Sequence, residues 1–157
     1  MIANEVIMTN ENIYPDFEEE ISGNELNDLP DSYSAERDFT TLEAWRKARQ
    51  LRLFLYKEVI PYLPAEEKYA SGSQIRRAAL SVTNNIAEGY GRFHFQEGIQ
   101  FYRISRGSLY ELKDDLIFCL DNNYIDRDKY DQGIKLLEDA KITLNGYINY
   151  VVNKKKV

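Results

Sequence analysis

Residues Ser73–Arg92 read SQIRRAALSVTNNIAEGYGR. Ile75, Ala78, Ala79, Val82 and Ile86 recur at spacings of three and four, so they form one apolar face of a helix. Gly89 and Gly91 supply its C-terminal stop. Gln74, Arg77, Ser81, Asn84, Asn85 and Glu88 repeat at the same spacings and share the other side. A row of amides, a hydroxyl, an arginine and a carboxylate has two readings. It binds a ligand, or it is a polar seam between helices, where buried polar groups must find partners.

The flanking chain carries the same period. TLEAWRKARQLRLFLYKEVI (Thr41–Ile60) places Leu42, Trp45, Ala48, Leu51, Leu55 and Val59 on one side, with Thr40 or Thr41 as cap and Pro61 and Pro64 as terminators. The helix of the opening stretch starts between Pro64 and Glu67 and reaches Glu88. A third helix runs from Phe95 to Leu120. It has one stripe of Phe101, Ile104, Ser108 and Leu112 and another of Tyr102, Leu109, Leu116 and Cys119 or Leu120. Gly107 and Ser108 in its middle suggest close approach of a neighbouring helix. After DNNYID (Asp121–Asp126), with Asp126 as cap, a fourth helix carries Tyr130, Ile134, Leu137, Leu144, Ile148 and Val151. No segment alternates like a strand for long. Four helices with short connections predict an all-α fold, an antiparallel up-down four-helix bundle.

Charge divides the chain. Residues 1–38 hold eleven carboxylates and one arginine, a net of −10, and show no sustained apolar period. They read as a flexible acidic arm. The bundle domain, residues 39–157, holds fifteen acidic and nineteen basic residues, a net of +4. The overall net charge of −6 therefore hides a basic body. An acidic tether beside it is expected to fold back on Arg- and Lys-bearing surface and compete with nucleic acid; sequence does not say on which surface. The single Cys119 excludes an internal disulfide, and the single His94 excludes a paired-histidine metal site. Glu111, Asp114 and Asp115 are candidate metal holders, but no Glu-x-x-His on a second helix completes a di-iron bundle. The expectation is no metal and no cofactor. No apolar run approaches the ~20 residues of a membrane span, and no secretory pattern opens the chain. The expected location is the cytoplasm.

Three motifs carry a resemblance: EAWRKARQL (Glu43–Leu51), QIRRAALSVTNNIAEGYGR (Gln74–Arg92) and FYRISRGSLYEL (Phe101–Leu112). In order and spacing they resemble the four-helix-bundle proteins encoded within intervening sequences of bacterial large-subunit (23S) ribosomal RNA genes. The accessory variability protein of diversity-generating retroelements is similar to the same family. The resemblance implies non-enzymes that form ring-shaped homopentamers. For the retroelement members it implies a basic surface that binds nucleic acid and a reverse transcriptase. Three positions depart from the family pattern: Thr83 replaces a usual proline, His94 a usual Ser or Thr cap, and Gly98 a usual aromatic residue. Gly98 predicts a loose or displaced first turn of the third helix, since glycine costs up to about 1 kcal/mol against alanine in a helix.

Arg46, Arg49, Arg52, Arg76 and Arg92 are the candidate nucleic-acid contacts, because phosphate binding needs clustered cations. Gln74, Arg77, Ser81, Asn85, Glu88, Ser108 and Glu111 are the candidate polar seam. Phe93, His94 and Phe95 beside Tyr90 and Arg92 are either a base-stacking cluster or packing at the bundle end. Lys154–Lys156 read as a solvated tail. Three functions stay open: a homo-oligomer engaging structured RNA or an RNA-handling partner, a reverse-transcriptase accessory subunit, and a protein scaffold without a nucleic-acid role. No nucleophile–base pair or phosphate-cradling loop points to an enzyme.

Overall fold

The computed structural model describes residues 38–92 and 95–154. The acidic segment up to Arg37, Phe93, His94 and the tail from Lys155 lie outside the described residues.

The described chain is all-α. A 3-10 turn, Phe39–Thr41, precedes α1 (Glu43–Phe54). The expected threonine caps work differently: Asp38 is the cap. Its carboxylate accepts the Thr40 N–H (2.8 Å), and its carbonyl accepts the Thr41 hydroxyl (2.8 Å). Helix α1 itself starts at Leu42 without a side-chain cap. It then widens into a π-turn, Leu55–Val59, and tightens into a 3-10 turn, Ile60–Tyr62. Pro61 explains the change of pitch, since it has no N–H to offer the carbonyl four residues back.

The expected second helix is two. Helix α2 (Ala65–Tyr69) and α3 (Ser71–Tyr90) are separated at Ala70, whose φ of −86° and ψ of −92° are not helical. Ser71-Gly72-Ser73 are poor helix formers whose hydroxyls find local partners. Ser71 donates its hydroxyl to the Glu67 carboxylate, one such partner. Gly72 is buried at the break, where a Cβ would stand 3.3 Å from the Glu67 carbonyl and from Leu63. Helix α4 spans Phe95–Asp121 and α5 spans Arg127–Lys154. Between them Asn123 takes a left-handed φ of 57°, and Asp126 caps α5 as expected by accepting the Lys129 N–H at 2.8 Å.

Helices α1, α3, α4 and α5 form a helical bundle in which each packs on two of the others around one core. Val59, Ile75, Val82, Ile86, Leu109, Leu112, Leu116, Leu137 and Leu144 are fully buried in it. The α3–α4 contact is built from small residues. A Cβ on Gly89 would meet the Tyr102 ring at 2.5 Å and the Gly98 carbonyl at 2.9 Å, and one on Gly98 would meet the Gly89 carbonyl at 2.8 Å. Gly98 is thus buried in a tight crossing, a packing role that the expectation of a loose or displaced first turn did not include. No glycine among the described residues adopts positive φ, so Gly89 acts through its missing side chain and not as a left-handed cap. Ser105, completely buried, donates to the Val82 carbonyl at 2.8 Å. Gly107 is exposed, and a Cβ there would meet nothing within 4 Å; among the described residues no helix approaches it.

Candidate nucleic-acid interface

One hydrogen bond locates the cationic surface. Arg52 of α1 donates to the hydroxyl of Thr83 on α3 at 2.7 Å, and Thr83 in turn donates to the Leu80 carbonyl at 3.2 Å. Thr83 is 1% exposed. The pair fixes which sides of α1 and α3 border their shared groove. Residues three or four away on each helix stand on the same side. Of these, Ala48, Leu55, Ala79 and Ile86 are buried in the core, while Arg49 and Tyr56 on α1 and Leu80 and Ala87 on α3 reach the surface, with Arg76 two turns before Thr83.

The charged residues placed on these walls are Arg49, Arg52 and Arg76, and the stretches that carry them hold only cations. From Ala44 to Lys57 the chain carries Arg46, Lys47, Arg49, Arg52 and Lys57, and from Ser71 to Ala87 it carries Arg76 and Arg77; neither stretch holds a carboxylate. Arg46 is exposed near the N-terminal end of α1, where its Nε donates to the Thr40 carbonyl at 3.0 Å. Arg76 is half-buried and donates to the Lys68 carbonyl at 3.0 Å. Arg49 is exposed and has no partner among the described residues. A guanidinium bonded to one carbonyl or hydroxyl keeps most of its five N–H donors. The groove therefore presents three arginines together, with Arg46 at its end. Arg92 is not among them. It pairs with Glu88 one turn back and lies over the Phe101 ring of α4, 4.7 Å from its centroid.

The polar row of α3 separates into parts. Ser81 and Ser108 share a hydrogen bond of 2.8 Å across α3 and α4, and Asn85 donates to the Ser81 carbonyl and hydroxyl at 2.8 and 3.1 Å. These three form a satisfied seam of the kind that fixes helix register. Gln74, Arg77, Glu88 and Glu111 face solvent outside it, as does Asn84.

Two groups on α4 have perturbed protonation. Burial, reinforced by Asp114 and Glu111, pushes the Asp115 carboxyl up to about 6. Burial, with Asp115 and Glu67 behind it, pushes the Cys119 thiol up to about 12, so it stays protonated and packs as a core residue. No group of three or more His, Cys, Asp or Glu among the described residues is arranged to hold a metal ion. None of the described helices is long and apolar enough to cross a membrane. Phe93 and His94 lie outside the described residues, and Lys154 stands 5.2 Å over the Tyr150 ring.

Sequence reasoning missed Thr83 as the acceptor that positions Arg52, and Ser105 as a buried link between α3 and α4. Thr83 sits at a position that departs from the family's proline, and that departure was its signal. Ser105 carried none, since serine is ordinary on an exposed helical surface.

A protein-family model described as 23S rRNA-intervening sequence protein matches residues 40–146, from the first turn through most of α5. Comparison with curated proteins gives no match.

Proposed function

The chain belongs to the 23S rRNA-intervening sequence protein family, and from that premise we propose a non-enzymatic, homo-oligomeric RNA-binding protein of the cytoplasm. In this reading residues 39–157 form an up-down four-helix bundle. Pairings of 89 with 98, 82 with 105 and 81 with 108 favour an antiparallel α3–α4 pair, since one number rises as the other falls. The bundle engages structured RNA, or a partner that handles RNA, through the α1–α3 groove. The observation that carries the reading is the charge placed on the groove walls: Arg49, Arg52 and Arg76, with Arg46 at the end, on two stretches that hold no carboxylate.

Arg49, Arg52 and Arg76, with Arg46 at the end, are its phosphate contacts. Phosphate contacts release counterions, so affinity must fall steeply with salt. Three or four contacts predict a loss on the order of 10²-fold between about 50 and 200 mM salt. The test is filter binding of a transcribed 23S rRNA stem-loop across that series, with Arg49→Ala and Arg76→Ala. Each variant should weaken binding and flatten the salt slope by about one. Binding that ignores salt, or that survives both substitutions with its slope intact, overturns the reading.

A further inference from the structure

The α1–α3 groove has an apolar component that phosphate contacts do not use. Tyr56 is 37% exposed and Leu80 41% exposed on its two walls. Trp45, half-buried on α1, closes the end nearest the chain's entry, with Phe39 against it at 5.3 Å between ring centroids. The groove thus suits a ligand that combines carboxylates with aromatic and aliphatic side chains.

The chain carries such a ligand on its own N-terminal side. Residues 13–21 read IYPDFEEEI, with four carboxylates beside Ile13, Tyr14, Phe17 and Ile21. The described chain begins at Asp38, which is fixed to the Phe39–Thr41 turn by two hydrogen bonds. That turn touches α3 as well as α1. The acidic segment therefore joins the bundle at the mouth of the groove. We propose that residues 1–37 supply the occupant of the α1–α3 groove: the Asp16–Glu20 carboxylates pair with Arg49, Arg52 and Arg76, and the flanking apolar side chains cover Tyr56 and Leu80.

Reach and charge both fit. About eighteen residues separate Glu20 from Asp38, and a coil of that length spans roughly 24 Å end to end. Trp45 to Tyr56 covers about 17 Å along α1. A tether near the matching length gives an effective concentration on the order of millimolar, enough to populate contacts that are weak between separate molecules. Screening limits attraction between exposed charges to about 8 Å at physiological salt, so the apolar contacts are needed to hold the segment. The consequence for function rests on the RNA-binding reading. An occupied groove is closed to phosphate, and a segment present about nine-tenths of the time lowers apparent RNA affinity about tenfold.

Docking is testable without RNA. A nitroxide attached to Glu19→Cys of the full chain broadens amide resonances near it; Cys119 is buried and stays unlabelled during a short reaction. The expected result is selective loss of intensity along Arg49–Tyr56 and Arg76–Ala87, with resonances around Ile142 of α5 unaffected. Combining Arg49→Glu with Arg76→Glu should restore that intensity, whereas Lys135→Glu on α5 should not. Uniform broadening, no broadening, or broadening confined to α4 and α5 overturns the proposal. The 23S rRNA stem-loop then separates the two readings. Broadening in the groove, with no RNA binding even when Glu18, Glu19 and Glu20 become glutamine and the broadening is lost, upholds the docked segment and removes the RNA function. RNA binding that is unchanged when Glu18, Glu19 and Glu20 become glutamine, with no groove broadening, leaves the RNA function and removes the docked segment.

Discussion

Asp115 shows how one residue reports on what surrounds the subunit. Its folded-state carboxyl is raised to about 6 from an ordinary 3.8, chiefly by burial. Below about pH 4 both folded and unfolded chains are protonated there, and Asp115 costs nothing. Between the two values the folded chain keeps the proton that the unfolded chain has lost, so stability falls as pH rises and stays lower above about 6. A rise of that size would amount to about 3 kcal/mol in full; partial exposure reduces this to about 1 kcal/mol. Asp115→Asn should therefore stabilise the chain by about 1 kcal/mol at neutral pH and by nothing near pH 4, measured by urea unfolding at both. A destabilising Asn at neutral pH would mean that a cation from another molecule reaches Asp115. The Arg52–Thr83 bond gives a second residue-scale expectation. Thr83→Val keeps shape and loses the acceptor of a half-buried guanidinium, so it should cost about 1–2 kcal/mol in the same assay. The role of Asp115 was not legible in sequence, and the departure at Thr83 marked the position without its partner. Periodicity placed Arg52 and Thr83 on helices, but their meeting depends on how α1 and α3 pack.

Helix existence was legible at the scale of elements because apolar period and turn residues agreed over long stretches. The interruptions were not. Pro61 announced an end to α1, yet the chain continues through π and 3-10 turns, since a missing N–H changes the hydrogen-bond step before it stops the helix. The break at Ala70 was missed, although Ser71-Gly72-Ser73 beside it are poor helix formers, because the apolar period beyond it runs on unbroken from Ile75. The glycines show the limit most directly. Sequence treated Gly89 as a stop, Gly98 as a weakness and Gly107 as a contact. The structure makes Gly89 and Gly98 the contact and leaves Gly107 open. Gly89→Ala should destabilise the fold by about 1–3 kcal/mol through overpacking against Tyr102 and Gly98. Gly107→Ala should stabilise it by up to about 1 kcal/mol through helix propensity. Thermal unfolding monitored by circular dichroism checks both signs, and a gain from Gly89→Ala would refute the tight crossing.

For the whole molecule, charge partition was legible and assembly was not. An acidic segment and a basic body can be counted from composition, but a surface between copies needs to know which apolar residues the subunit leaves uncovered. On α4 these are Ile104, 52% exposed, and Tyr110, 56%, with Ile117 and Phe118 about two turns on at 38% and 37%. Sequence placed Ile104 in one stripe with Phe101, Ser108 and Leu112, whereas the subunit's own core takes Tyr102, Ser105, Leu109, Leu112, Leu116 and Cys119 and leaves Ile104 outside. A contact between copies along α4 would cover the remainder, and Gly107 in the same face would let a partner's backbone come close. Ile104→Arg should then shift the protein from an oligomer to a monomer in light scattering at micromolar concentration, with helicity retained. Ile142→Arg on α5, at a residue 66% exposed, should leave the oligomer intact. Gly107→Ala links this scale to the previous one: if copies meet there, the added methyl weakens association even as it stabilises the isolated helix. A wild-type chain that scatters as a monomer would assign the α4 face to another partner, and the homo-oligomer would be abandoned.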